Sequence, residues 1–256
     1  MSRRFISIAA VAVAISSLLM LWPDVAQAQS LSLDLGGGGD GTGNGSATAR
    51  IVQLIAVITV LSLAPSLLIM VTSFTRIVVV LSFLRTALGT QQTPPNQVII
   101  SLALFLTAFI MMPVFEEAYD TGIQPLINGE IDEFEAFDRT LLPVKNFMLV
   151  HVREQDLALF TDIAKLTDQE VRDTMPVRIL VPAFMISELK RAFEIGFLVF
   201  IPFLIIDMVV ASVLMSMGMM MLPPIIIALP FKIVFFVLVD GWYMIVGSLI
   251  RSFGGG

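Results

Sequence analysis

The stretch IGFLVFIPFLIIDMVVASVLM runs from Ile195 to Met215, and apart from Asp207 every side chain in it is apolar or small. As a helix it would rise roughly 30 Å, the thickness of a bilayer's hydrocarbon core. Backbone amides find no water there, so such a run must satisfy its own hydrogen bonds as a helix. Working outward, Ile51 to Thr72, Val98 to Val114 and Ile225 to Ile250 have the same character, and a shorter apolar piece, Ile77 to Leu84, lies between Arg76 and Arg85. Of 256 residues 57% are hydrophobic and 14% charged. That balance excludes an ordinary soluble domain and predicts an all-α membrane protein.

The chain divides by composition. Residues 1–28 read as a secretory signal: Arg3 and Arg4, an apolar run from Phe5 to Trp22 long enough to serve as an uncleaved anchor instead, then Ala26-Gln27-Ala28 as a cleavage site. Residues 29–50 are rich in Gly and Ser and form a flexible linker. Residues 51–115 hold the first apolar helices. Residues 116–177 are the contrast: between 116 and 173 lie 14 acidic and 5 basic side chains. This segment is water-exposed, with amphipathic helical spacing at Phe147, Val150, Leu157, Phe160, Ile163 and Leu166, and a capping box from Thr167 to Glu170. Residues 178–256 make a C-terminal helical hairpin.

An exported start places the acidic segment outside the cytoplasm and Arg76 and Arg85 inside, as the positive-inside rule asks. Arg50, Arg178, Lys190, Arg191 and Arg251 flank apolar runs on the outer side and break that rule. Pro65, Pro113, Pro182, Pro202, Pro223, Pro224 and Pro230 interrupt or bound the same runs. Each interior proline removes a backbone bond, and lipid tolerates this only where protein re-satisfies the backbone. The expectation is proline-broken helical hairpins packed against other protein in an oligomer.

With no cysteine and one histidine, disulfides, thiolate metals and a His cluster are excluded. A formal net charge of −6 argues against a nucleic-acid surface. No phosphate loop or catalytic constellation is present, so neither an enzyme nor a cofactor is expected. His151 reads as a surface residue. Function must rest on charges within apolar runs and on methionines. A carboxylate at a bilayer centre costs about 2.5–3.5 kcal/mol, so Glu188, Asp207, Lys232 and Asp240 are read as helix or subunit pairing groups. Lys190 and Glu194 pair four residues apart, and Glu188 is expected to pair with Lys232. An ion or proton relay is the sharper alternative.

Five of the seven residues from Met215 to Met221 are methionine, and Pro223-Pro224 follow. Gly218 loosens the backbone and the prolines end the helix, so Met219, Met220 and Met221 fall in a hairpin bend. Thioethers adapt to changing partners. In a ring of subunits they would form a deformable collar that seals a pore; plain packing and a soft-metal path are the other roles open to them.

Three stretches carry a family resemblance: SFTRIVVVLSFLRTALGTQQTPPNQV (73–98), ISELKRAFEIGFLVFIPFLIIDMVVASVLMSMGMMMLPP (186–224) and ALPFKIVFFVLVDGWYMIVGSL (228–249). From about Ile51 to Phe253 the chain resembles the FliP family of flagellar biosynthetic proteins, related to the export-gate component of virulence type III secretion systems. The resemblance implies a pentamer of broken hairpins joined by FliQ and FliR, forming a helical cone largely above the membrane plane. Its channel would pass unfolded export substrates, with FlhA and FlhB as further neighbours and energy from a partner ATPase and the proton-motive force. It places the chain in the bacterial inner membrane, at the flagellar basal body, with a periplasm-exposed segment. Met219, Met220 and Met221 match the family's channel-closing loop, Glu188 and Lys232 match its Glu and Lys, and Phe147 becomes a channel-facing position. The competing reading is an ion or metal transporter subunit using the intramembrane charges and methionines.

Overall fold

The computed structural model describes residues 44–90, 92–165, 175–219 and 222–254. The signal segment, most of the linker, the capping box at Thr167–Glu170, and Met220 and Met221 lie outside the described residues. The described residues are helical with no strand. The described residues divide into two units between Thr59 and Val60, within the first helix, α1 (Asn44–Met70).

In the second unit the order is α2 (Phe74–Leu88), α3 (Asn96–Ala118), a π-helical turn (Tyr119–Ile123), α4 (Gln124–Ile127), α5 (Glu133–His151), α6 (Glu154–Ala164), α7 (Val177–Ser216), α8 (Pro224–Leu238) and α9 (Gly241–Arg251). Two helices among the described residues are long and apolar enough to cross a membrane, Asn96–Ile127 and Val177–Ser216. The pair α8 and α9, bent by 62°, makes a third if it counts as one span.

The centre of the unit is α2. Ile77, Val80, Leu81, Leu84, Ala87 and Leu88 are buried, a stripe at helical spacing along one face. This face packs on α7 and α3. The short apolar piece between two arginines is therefore the core helix, and Arg76, expected as a charge on the cytoplasmic side, is buried with it. A span-length rule does not mark a core helix of 15 residues.

The prolines behave differently from the expectation of breaks. Pro182 and Pro202 both sit inside the 40-residue α7, and Pro113 inside α3. Each removes one ladder bond, yet buried neighbours such as Leu180, Ala183 and Phe203 hold the run together by packing. The sharp bend comes instead at Val239–Asp240, where Asp240 takes a left-handed conformation, φ 50° and ψ 54°.

The acidic segment folds as α4 to α6. Asp132 caps α5, accepting from the Glu135 amide at 2.8 Å, with Glu133 and Glu135 in the first turn. Gly122 lets the π-helical turn close on α5: a Cβ there would lie 2.1 Å from Thr140 Oγ1. The helical phase is reset at Val152, which is extended. Two helices, α5 and α6, lie on either side of it; Phe147 is buried, while Val150 and Ile163 face outward. His151, expected at the surface, is buried too, its Nδ1 2.8 Å from the Phe147 carbonyl.

Candidate functional site: buried charges and a methionine turn

Glu188 does not meet Lys232. On the buried face of α7 it meets Arg76 of α2: Arg76 Nε donates to Glu188 Oε2 at 2.8 Å and Nη2 donates to Oε1. Arg76 Nη1 also donates to the Ser252 carbonyl at 3.1 Å and lies 3.0 Å from its hydroxyl, and the guanidinium stands 3.7 Å over the Phe253 ring. The fork geometry of arginine suits a carboxylate in a way that a lysine ammonium cannot. Burial pulls the Arg76 pKa below its usual value and Glu188 opposes it; an arginine so placed keeps its charge.

The neighbouring residue, Ser187, ties α7 to α6. Its hydroxyl donates to Asp156 Oδ2 at 2.6 Å and accepts from the Arg153 amide at 3.0 Å. Arg153 grips Asp156 with Nε and Nη2 at 2.8 and 2.7 Å. Burial alone would raise the Asp156 carboxyl, but the Ser187 and Arg153 hydrogen bonds outweigh it and hold the group below the usual carboxylate range. Two adjacent residues of α7 thus clasp α2 and the start of α6, and Arg76 reaches on to the end of α9. Arg153, Asp156 and Ser187 did not stand out in the sequence and Arg76 did so only as an inner-side charge, though Arg153 and Asp156 three apart at a helix start are a readable pair.

Lys232 of α8 pairs with Asp207 of α7 at 2.6 Å and donates to the Ala87 carbonyl at 3.2 Å. It sits at the C-terminus of α2, where a cation is favoured by the helix dipole and by free carbonyls. Asp207 Oδ1 is buried without a hydrogen bond. Asp240 forms no ion pair among the described residues and is exposed. Lys190 and Glu194 stand 3.7 Å apart on the surface of α7.

Phe147 is not at a free surface. It lies in the core, stacked on Phe253 with centroids 6.1 Å apart and edge-on to Phe184 at 6.1 Å.

The methionine turn closes α7 with a Schellman motif. The Gly218 amide donates to the Met215 carbonyl at 3.1 Å and the Met219 amide to the Leu214 carbonyl at 3.0 Å. Gly218, at φ 75°, supplies the left-handed residue the motif needs. Pro224 then opens α8 at its first position. Met215, Met217 and Met219 are all exposed, so among the described residues no partner packs over these thioethers at the hairpin's end.

Residues 57–249 match the FliP family along their length. The chain belongs to the FliP family. It is 63% identical over 206 residues to the flagellar biosynthetic protein FliP of Caulobacter vibrioides, covering 80% of this chain and 77% of that one. With the Bacillus subtilis protein of the same name it is 60% identical over 202 residues, 79% of this chain and 91% of that one. With the Aquifex aeolicus FliP the identity is 54% over 204 residues, 79% and 85%. The FliP family provides structural parts of the flagellar export apparatus, not enzymes. Arg76, Glu188, Asp207, Lys232, Asp240 and the methionine turn all fall within the matched range, while Ser252 and Phe253 lie beyond it.

Proposed function

We propose that this chain is a channel-forming core subunit of the flagellar type III export gate, passing unfolded flagellar subunits across the bacterial inner membrane. It works as a homo-oligomer, a pentamer, with FliQ and FliR, beside FlhA and FlhB at the basal body, with the acidic segment in the periplasm. The observation that carries this is the exposed methionine turn at the end of the α7–α8 hairpin, in a FliP-family chain. Its backbone is fixed by the Schellman bonds, while its side chains are unbranched and polarizable. A ring of such turns would close a pore to small solutes and yield around a passing chain. The apolar surface of the second half of α7 supports the same reading, since monomeric proteins rarely expose so much contiguous apolar area.

The competing transporter reading draws on the intramembrane charges. The structure engages Glu188 with Arg76 and Asp207 with Lys232, which favours pairing as their role. The test is small-solute and ion leakage in flagellated cells carrying Met219, Met220 and Met221 changed to Ala, with motility and secretion scored alongside. A leak with secretion partly retained is the expected result. Tight membranes with full secretion would leave the methionines as packing residues. Metal-dependent loss on substitution by Leu would favour the transporter.

A further inference from the structure

In the helices from Val177 to Arg251, each carboxylate has a cationic partner except one. Glu188 pairs with Arg76, Glu194 with Lys190 and Asp207 with Lys232; Asp240 meets no cation among the described residues. Its backbone makes this harder to dismiss. Asp240 stands in the left-handed region, where a side chain carries strain and glycine would carry none. It occupies the N-cap position of α9, yet its carboxylate caps nothing. The usual local reason for an aspartate at a helix start is therefore missing. Around it the surface is apolar and aromatic: Val237, Leu238, Trp242 and Tyr243 are exposed. Beside it, in the elbow between α8 and α9, an apolar cavity of about 410 Å³ is lined by Leu198, Phe203, Phe236, Met244 and Ile245 among others.

An isolated carboxylate amid apolar helix surface calls for a cation, and the same chain has cations to spare. Arg178 at the start of α7 and Arg251 at the end of α9 are exposed, and neither forms an ion pair among the described residues. Both stand at the ends of helices whose sides are apolar. We infer that the α8–α9 elbow is a docking site for a second copy of this chain, in which Asp240 of one copy pairs with Arg178 or Arg251 of the next. The contact is heterologous, an acid on one patch meeting a base on another, and such contacts build rings when the rotation closes. This rests on the oligomeric reading above.

The test measures the mass and dissociation of the full-length protein in detergent by native mass spectrometry and light scattering. The variants are Asp240→Arg, Asp240→Asn, and Asp240→Arg combined with Arg178→Asp or with Arg251→Asp. The expected result is that wild type is oligomeric, Asp240→Arg falls to smaller species with helix content unchanged, and one of the two combined variants restores the oligomer. Should Asp240→Arg fail to fold, Asp240→Asn carries the test, with association weakened roughly tenfold or more. An oligomeric wild type indifferent to both Asp240 substitutions overturns the contact alone. So does dissociation that neither arginine change rescues. A monomeric wild type overturns the oligomeric reading and this contact with it.

Discussion

Between Val177 and Gly196, α7 buries Ile179, Leu180, Ala183, Phe184, Ser187, Glu188, Ala192 and Gly196; between Phe197 and Ser216 it buries Phe203 and Leu214. Composition cannot account for this, because the second half is the more apolar of the two. The difference is one of neighbours. The first half lies against α2 and α6, and its polar residues are spent on Arg76 and Asp156. The second half presents Phe197, Leu198, Ile205, Met208, Val209 and Val213 outward. One half is the core of the protomer, while the other presents an open apolar face.

The comparison is broken most severely at the buried pair. Arg76→Ala or Glu188→Ala leaves a fully buried charge unpaired and should cost roughly 3–5 kcal/mol in denaturant or thermal unfolding of the detergent-solubilised protein. Replacing both by Met should recover much of that loss, because two apolar side chains remove the desolvation problem altogether. Lys232→Met should cost less, since Asp207 is partly exposed and can be rehydrated. Equal losses at the two pairs would erase the contrast between a core half and an open half.

Phe184→Ala against Ile205→Ala sharpens it further. Phe184 is fully buried in the first half and its truncation should cost about 3–5 kcal/mol. Ile205 is half exposed in the second half, and its truncation should move the isolated protomer by no more than about 0.5 kcal/mol. Its effect should appear in assembly, read as the fraction of oligomer at fixed protein concentration. A stability loss at Ile205 as large as that at Phe184 would mean the second half is packed within the protomer after all.

Much of this was legible beforehand, for identifiable reasons. The long apolar runs were visible because bilayer thickness sets a length, and Val98–Val114 and Ile195–Met215 fall within helices that could span. The bend at the methionines was visible because Gly218 and the two prolines act locally. The local pair Lys190–Glu194 was visible at its four-residue spacing, but pairings between distant residues were not. Arg76 and Glu188 are 112 residues apart, and nothing local says which of several cations a carboxylate will meet. The matching of Glu188 to Lys232 failed for that reason. Core placement of α2 was hidden by its shortness and its flanking arginines, although its stripe at helical spacing was there to be read. Pro182 and Pro202 misled in the other direction, because helix-breaking is a local tendency that packing overrides. Phe147 and His151 both pack against Phe253, and Phe147 also against Phe184, contacts between residues distant in sequence that no motif marked.

The finest distinction is electrostatic and belongs to the first half of α7. Asp156 is held below the usual carboxylate range by Ser187 and Arg153, against the pull of burial. In the unfolded chain the same carboxyl titrates at about 3.9, so the unfolded state binds the proton more readily and stability must rise with pH across that window. Above it the contribution is fully present. As the pH falls below about 4 toward the lower folded-state value, the contribution is lost. Asp156→Asn removes the titration: the variant should be less stable at neutral pH, and its stability should fall less steeply than wild type's on acidification below about pH 4. Ser187→Ala should act in the same direction and more weakly, because Arg153 still grips the carboxylate with two hydrogen bonds. The measurement is unfolding in detergent from pH 3 to 7, with the substitution Glu154→Gln as a control on the same helix. An acid limb unchanged in Asp156→Asn would mean that the clasp between α6 and α7 adds no proton-linked stability, and that burial of Ser187 is a matter of packing alone.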